Sequence, residues 1–316
     1  MEKKRIIFMG TPDFAVEMLN VLLHETMDVV AVVTQPDKPV GRKHEIKPTP
    51  VKAKALEYGI FVLQPEKIGS IAEEIEALKP DLIVTCAYGQ FIPQRILETP
   101  VFGSINVHAS LLPEYRGGAP IHKSIIDGKE KTGISIMRMV KRMDAGDVMS
   151  QVEVDISDDD TVGTLHDKLQ RAGAGLLKAS LDLLFSGNAR WQPQDESKAT
   201  FAYNIAKEQE FVSFNRDVKT VYNHIRGLIP WPVGYGVVNG KKIKFHRVGY
   251  QYGEPQGKPG EILGLEKDGL AVQALGGVLM LYEVQLEGKG KSNASDFFNG
   301  IGKSLVHACF EETYES

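Results

Sequence analysis

The sequence predicts an α/β domain with a Rossmann-like, mostly parallel sheet, followed by a smaller domain built as an OB-like β-barrel. Short apolar runs alternate with helical patterns over roughly the first 185 residues. Short strands separated by glycines fill the chain after about residue 205. The length of 316 residues suits two domains better than one. We expect the first domain over residues 1–188, a linker over 189–205 and the second domain over 206–316.

The strands of the first domain are apolar nearly throughout, as expected for strands covered on both faces. They are Arg5–Met9, Val29–Thr34, Asp81–Cys86, Gly103–Val107 and Gly133–Met139. Helical patterns lie between them, at Asp13–Leu23, Pro50–Tyr58, Ser70–Leu78 and Ala119–Asp127. A longer helix over Thr161–Phe185, capped by Asp160 or Thr161, closes the domain. Strands that alternate with helices in this way form a mostly parallel sheet.

The second domain begins after a stretch with few aliphatic residues and several turn formers. A helix is predicted over Val218–Arg226. Five short strands follow, at Gly236–Val238, Lys242–Tyr250, Gly260–Leu265, Leu270–Ala274 and Val278–Val284. Asn239-Gly240 and Gly276-Gly277 are typical of hairpin turns. Short strands joined by such turns favour a small barrel of the oligonucleotide/oligosaccharide-binding type.

The net charge is −4, from 37 basic and 41 acidic residues, and excludes a protein that coats nucleic acid indiscriminately. Two segments are locally basic. Gln35–Lys54 carries six basic and two acidic residues, or +4, and Gly240–Tyr250 carries four basic residues and no acid. Each segment is either a solvated surface or a phosphate-contacting one.

Two cysteines, Cys86 and Cys309, are too few for a disulfide framework or a cysteine-based zinc cluster. No apolar run approaches the ~18–20 residues that a bilayer requires. We therefore expect a cytoplasmic monomer without a metal site or membrane contact.

Asn106 and His108 follow a predicted buried strand and lie on the same side of it. Ligands of open α/β sheets collect at this carboxyl end of the strands. An amide can donate to a developing oxyanion, and an imidazole can move a proton near neutral pH. The spacing alone also fits a hydrogen-bonded structural pair. Asp144 fits either a turn or a carboxylate that orients His108.

Segments along the whole chain resemble the folate-dependent formyltransferases, and among them those that act on methionyl-tRNA. The similar segments are Arg5–Val16, Gln35–Arg42, Lys47–Lys52, Thr85–Pro93, Asn106–Gly117 and Ile225–Pro232. The Asn106–Gly117 segment is specific for folate-dependent formyltransferases. The loop around Asp37–Lys52 and the second domain resemble those formyltransferases of this family that act on methionyl-tRNA.

The resemblance implies formyl transfer from 10-formyltetrahydrofolate to the α-amino group of methionyl initiator tRNA. Asn106, His108 and Asp144 would be catalytic. The folate site would be formed by Tyr88, Gln90, Phe91, Ile92, Ser110, Leu111, Leu112, Pro113 and Val140. The tRNA would contact Arg42 and Lys43 and, by an inference from charge alone, Lys241, Lys242 and Arg247.

The chain departs from the family pattern beside the expected catalytic aspartate. Arg142-Met143 and Ala145-Gly146 stand where a Gly-Leu pair and Thr-Gly are usual. Arg142 would favour the ionised form of Asp144 if the two side chains approach each other. In the second domain, Val233-Gly234 replaces the usual Gly-Ala, and we expect little effect there.

Two alternative functions remain open. One is a folate-dependent formyltransferase that acts on an amino-sugar nucleotide. The other is a non-catalytic RNA-binding protein, which would have lost a member of the Asn106, His108 and Asp144 set.

Overall fold

The computed structural model describes residues 3–23, 26–40 and 45–314. The chain forms two compact units. Unit 1 comprises Met1–Pro120, Lys131–Asp155 and His166–Tyr203, and unit 2 comprises Ile121–Glu130, Ile156–Leu165 and Asn204–Ser316. None of the helices in the described ranges combines the length and apolarity needed to cross a membrane.

Nine strands lie in the described residues of the first half of the chain. They are β1 Lys4–Gly10, β2 Met27–Val33, β3 Lys38–Val40, β4 Glu45–Lys47, β5 Val62–Leu63, β6 Leu82–Cys86, β7 Ser104–His108, β8 Lys131–Arg138 and β9 Val148–Asp155. Seven of them form one sheet in the order β5-β2-β1-β6-β7-β8-β9. The pairings are parallel from β5 to β7, whereas β8 and β9 are antiparallel. The predicted mostly parallel sheet is confirmed. β3 and β4 pair separately as an antiparallel hairpin.

Strand β9 is absent from the strands that the sequence predicts. Its exposure alternates from residue to residue because it lies at the edge of the sheet with one face covered. The predicted strands, in contrast, are recognised by continuous apolar runs.

Six α-helices accompany these strands in the described part of the chain. They are α1 Phe14–Leu22, α2 Pro50–Glu57, α3 Ala72–Ala77, α4 Gln94–Leu97, α5 Pro120–Ile126 and α6 Val162–Phe185. The start of helix α2 is explained by its local sequence. The Thr49 hydroxyl accepts from the Lys52 N–H at 3.1 Å, and Pro50 occupies the first turn, where no N–H is needed.

Unit 2 is mainly an antiparallel sheet. Its elements after residue 204 are α7 Val218–Arg226, β10 Tyr235–Val238, β11 Lys241–Tyr252, β12 Ile262–Glu266, β13 Gly269–Ala274, β14 Gly277–Leu286, β15 Lys291–Asn293 and α8 Ala294–Asn299. The strand order is β10-β11-β14-β13-β12, and β15 pairs with β14. Segment 307–311 reaches both edge strands: the His307 N–H donates to Ile262 O and the Glu311 N–H donates to Val237 O, each at 2.8 Å. It thereby links the two edges of the sheet, as a barrel requires.

The two hairpin turns differ in how well the sequence locates them. Asn239 and Gly240 have φ values of +50° and +69° and join β10 to β11, as predicted. The second turn is Leu275-Gly276, one residue before the predicted pair. Gly277 belongs to β14, where a Cβ would lie 2.2 Å from Gln251 O, so this glycine serves close strand packing.

Candidate active site

Two neighbouring strands, β6 and β7, position the first residues of the site, which lies at the end of β7. Thr85 on β6 lies in register with Asn106 on β7. The buried Thr85 hydroxyl donates to Asn106 Oδ1 at 2.8 Å. With Oδ1 as the acceptor in this bond, the amide keeps its nitrogen as the donor group. Among the described residues no partner takes the Nδ2 hydrogens, so both remain available as donors.

His108 lies two residues further along the same strand and is only 6% exposed. Its Nε2 lies 3.0 Å from the carbonyl oxygen of Tyr115. A carbonyl can only accept, so Nε2 carries the hydrogen, and in the neutral ring the lone pair is on Nδ1. Nδ1 faces Asp144 Oδ2 at 3.8 Å. A proton taken up at Nδ1 would therefore be held opposite a carboxylate.

Asp144 reaches this position because the β8–β9 connection runs back along β7. The Met139 N–H donates to Ser104 O at the start of β7, at 2.8 Å, whereas Asp144 lies beside His108 at the end of it. The Gly117 N–H donates to Asp144 Oδ2 at 2.8 Å and fixes the carboxylate. The structure thus brings together the three residues that the sequence singled out.

Arg142 is not the partner of Asp144. Its Nη2 lies 2.7 Å from Glu196 Oε2, and the pKa of Glu196 is lowered by hydrogen bonds from Arg116 and by the charges of Arg116 and Arg142. The ion pair that the structure gives Arg142 is thus with Glu196, and an effect of this arginine on Asp144 stays a prediction.

The arrangement can perform a particular kind of chemistry. The Asn106 Nδ2 donors can stabilise negative charge that develops on an oxygen. His108 Nδ1 can accept or return a proton beside the Asp144 carboxylate. No cluster of three or more His, Cys, Asp or Glu suited to a metal occurs in the described ranges.

Two residues predicted to bind folate use their side chains within the protein. Tyr88 is buried in the apolar cluster that includes Ile92, and burial raises the pKa of its phenol to about 12. Its carbonyl oxygen accepts from Thr11 Oγ1 at 2.9 Å. Gln90 accepts from the Ile68 N–H at 2.8 Å and donates to a neighbouring carbonyl. Folate contacts by these residues stay a prediction.

The other predicted folate residues border the same region. Phe91 and Val140 are exposed, and Met139 packs against the cluster that holds Tyr88 and Ile92. The main chain of the loop after β7 is held from β8 and β9: Ser135 Oγ donates to Ser110 O at 2.6 Å, and Gln151 Nε2 donates to Leu112 O at 3.0 Å. Leu111 is half-buried, Leu112 is buried and Pro113 is half-buried.

The predicted tRNA contacts fall in two places. Arg42 and Lys43 lie outside the described residues. Lys241, Lys242 and Arg247 lie on β11 in unit 2.

On β11, lysine and arginine have aromatic partners. Lys242 Nζ lies 3.5 Å from the ring centroid of Tyr235, and the Arg247 guanidinium lies 5.1 Å from that of Tyr282. Partial burial, followed by the charge of Lys244, lowers the pKa of Lys242. This basic and aromatic face suits a phosphate backbone and bases.

Several positioning groups are missing from the site residues that the sequence predicts. They are the Thr85 hydroxyl, the Tyr115 carbonyl and the Gly117 N–H. Gly117 carries a signal: its φ is +125° and a Cβ would lie 2.6 Å from Ala202 O, so a glycine is required. The roles of Thr85 and Tyr115 depend on strand register and loop path, which no local pattern records.

Comparison with known proteins identifies the family. Residues 4–181 match the Formyl transferase model, and residues 204–302 match the Formyl transferase, C-terminal domain model. The methionyl-tRNA formyltransferase of Bacillus licheniformis is 52% identical over 302 residues, covering 94% of this chain and 95% of that protein. The one of Macrococcus caseolyticus is 49% identical and covers 98% and 99%.

Solved structures share the fold at lower identity. An N-formyltransferase from Helicobacter canadensis, in complex with folinic acid and dTDP-3-aminofucose, is 19% identical with a TM-score of 0.67, covering 88% of this chain and 98% of that one. HypX from Aquifex aeolicus, in complex with tetrahydrofolic acid, is 19% identical with a TM-score of 0.63. That match covers 96% of this chain but only 48% of HypX, so the chain spans about half of that protein. With both domain models matched and close relatives along nearly the whole length, the chain belongs to the formyl transferase family.

Proposed function

We propose that this chain transfers the formyl group of 10-formyltetrahydrofolate to the α-amino group of methionyl initiator tRNA. One observation carries the proposal: relatives named methionyl-tRNA formyltransferase are 49–52% identical over nearly the full length of both chains. The structural neighbour bound to an amino-sugar nucleotide is only 19% identical.

The site geometry supports this reaction. Attack by the amine on the formyl carbon places negative charge on the formyl oxygen and leaves the attacking nitrogen with a proton to lose. Collapse of the tetrahedral intermediate then breaks the bond between the formyl carbon and N10 of the folate, and N10 takes up a proton as tetrahydrofolate leaves. The Asn106 Nδ2 donors suit the oxygen, because Thr85 binds the other end of the amide at Oδ1. His108 Nδ1 suits the proton, and Asp144 Oδ2, 3.8 Å away, stabilises the protonated ring.

The residues beside the site fit a folate. A pterin needs backbone donors and acceptors at its edge and apolar walls at its faces. The loop of Ser110–Pro113 is held in place by Ser135 and Gln151 beside the site, and the exposed Phe91 and Val140 offer apolar surface. We propose that these segments, together with Tyr88–Ile92, hold the folate so that its formyl group meets Asn106.

For the tRNA we propose contacts at Arg42, Lys43, Lys241, Lys242 and Arg247. The support for Lys242 and Arg247 is the basic and aromatic face of β11, whereas Lys241 is proposed from its charge alone. We also propose a monomer in the cytoplasm. Cys86 and Cys309 are both free thiols, as suits a reducing compartment.

The test offers the purified chain 10-formyltetrahydrofolate with one acceptor at a time: methionyl initiator tRNA, methionyl elongator tRNA or an amino-sugar nucleotide. We expect rapid formylation of the initiator tRNA alone. Asn106→Ala serves as the matched inactive control. Formylation confined to the sugar nucleotide would establish the alternative substrate, and tRNA binding without formylation would establish the non-catalytic alternative.

A further inference from the structure

Gln194 connects a buried arginine to the turn that carries Asp144. Arg116 is fully buried, with 0% of its surface exposed. Its Nε and Nη2 donate to Gln194 Oε1 at 3.1 and 2.8 Å. Its Nη1 and Nη2 also donate to Glu196 at 3.2 and 2.9 Å. The guanidinium is therefore satisfied by two side chains from one segment, and no sequence motif marks that segment as functional.

The other end of the Gln194 amide is directed at the Asp144 turn. Nε2 donates to Asp144 O at 2.8 Å and to Gly146 O at 2.7 Å. The amide cannot be reversed, because Arg116 requires an acceptor on one side and two carbonyls require donors on the other. One glutamine thus satisfies both hydrogens of its nitrogen on two backbone carbonyls of a single short turn.

The turn needs such a restraint. Asp144 adopts a φ of +49°, a region that non-glycine residues seldom occupy. Gly146 packs so closely that a Cβ there would lie 1.9 Å from Arg138 O. The Asp144 carboxylate is fixed at its own end by the Gly117 N–H. Since Gly117 follows Arg116 in the chain, the carboxylate and its backbone are both tied to the same two-residue stretch.

We propose that Gln194 is a positioning residue that holds Asp144 opposite His108 through the backbone of the Asp144 turn. The inference rests on the proposed formyl transfer. The Gln194 amide is engaged by Arg116 and by the two carbonyls of the turn, so we assign it no direct part in the reaction. Its loss should therefore reduce turnover and leave substrate affinity nearly unchanged, since a misplaced catalytic group affects the transition state more than binding.

The test compares Gln194→Met with Gln194→Ala in the full-length chain. Methionine keeps most of the side-chain volume and removes the amide, so it remains informative where alanine leaves a cavity. Gln192→Ala is the matched control: Gln192 lies in the same segment, but its side chain is exposed and outside this network. We expect Gln194→Met to lower kcat by 10- to 100-fold, with the KM for each substrate changed less than threefold. Gln192→Ala should behave like the parent.

A double-mutant cycle with Asp144→Asn separates positioning from general loss of structure. If Gln194 acts through Asp144, Gln194→Met should lower kcat less than threefold in the Asp144→Asn background. An equal loss in both backgrounds, or an unchanged kcat in the single variant, would overturn the role. A parent chain without formyl transfer would instead refute the proposed function, and the positioning role with it.

Discussion

Gly117 and Asp144 are joined by a hydrogen bond of 2.8 Å from a backbone N–H to a carboxylate, although 27 positions separate them in the sequence. The same carboxylate oxygen lies 3.8 Å from His108 Nδ1. The position of the carboxylate therefore depends on the loop after β7 as much as on its own turn.

Gly117→Ala should damage both stability and turnover. A Cβ would lie 2.6 Å from Ala202 O at a φ of +125°, so the backbone must move and the N–H must leave the carboxylate. We expect a loss of about 2 kcal/mol or more in the free energy of unfolding and roughly a tenfold loss in kcat. Denaturant unfolding and steady-state kinetics measure these. Gly175→Ala is the control: it lies in α6 with nothing within 4 Å of a Cβ, and should stabilise by about 0.5–1 kcal/mol.

Asn106→Ala should lower kcat by roughly 100- to 1000-fold, the usual effect of removing one oxyanion donor. The KM for the folate should stay nearly constant, because the amide acts on charge that develops during reaction. Thr85→Val removes the hydroxyl that orients this amide and should lower kcat less than Asn106→Ala does. Thr85→Ser keeps the hydroxyl and should retain most of the parent kcat. An active Asn106→Ala variant would refute the assignment.

Asp144→Asn tests the charge separately from the position. An amide oxygen can still accept from the Gly117 N–H, so the turn should keep its conformation. We expect a fall in kcat of roughly 10²- to 10⁴-fold, the range for loss of assisted proton transfer. Asp147→Asn removes a charge from the same β8–β9 connection and should leave kcat nearly unchanged. Equal losses in the two variants would mean that the connection responds to net charge and that Asp144 has no special role.

His224 should make unit 2 less stable in mild acid. Its Nδ1 accepts from Arg216 at 2.5 Å, and burial lowers its pKa from 6.5 to about 4. Between these values the unfolded chain binds a proton that the folded chain does not. The free energy of unfolding therefore falls as pH decreases from about 7 to about 4, by about 3 kcal/mol in total.

Denaturant titrations at pH 7 and pH 5 measure this effect. From pH 7 to pH 5 the free energy of unfolding should fall more in the parent than in the His224→Gln variant, because the variant has no imidazole at this position to protonate. Identical pH dependence in the two proteins would show that folding does not change the pKa of His224.

Removing charge from β11 should weaken tRNA binding without impairing the chemical step. Lys242→Ala and Arg247→Ala should each raise the KM for tRNA several-fold and leave kcat unchanged. Removal of one phosphate-binding side chain should reduce the slope of log affinity against log salt by roughly 0.7–0.9. Lys303→Ala, a surface charge away from β11 in sequence, is the control. A salt slope identical to the parent in both β11 variants would contradict phosphate binding there.

Much of this molecule follows from local patterns. The apolar runs locate β1, β6 and β7, and the helical pattern that begins at Pro50 locates α2. Asn106 and His108 share a face because strand side chains alternate, and that is visible in the sequence. Patterns of this kind depend only on neighbouring residues.

The features that local patterns leave undetermined depend on long-range packing. Gln194 meets the Asp144 turn across 50 positions, and no spacing between them signals this contact. Residues 121–130 and 156–165 belong to unit 2, although segments of unit 1 separate them in the sequence from the main part of unit 2, which begins at Asn204. Arg226 explains part of this, since its buried guanidinium donates to the carbonyls of Ser157 and Asp160 at 3.1 and 2.7 Å. Such a bond is visible only once the chain has folded.

The way in which segment 307–311 links β12 to β10 has a consequence for biosynthesis. A ribosome makes the two edge strands first and the segment that joins them last. Until residue 311 has left the exit tunnel, both edges expose unpaired backbone groups that could pair with another nascent chain. The unit can then complete its hydrogen bonding only after synthesis of this region, so a stalled or prematurely released chain would be a substrate for chaperones and proteases.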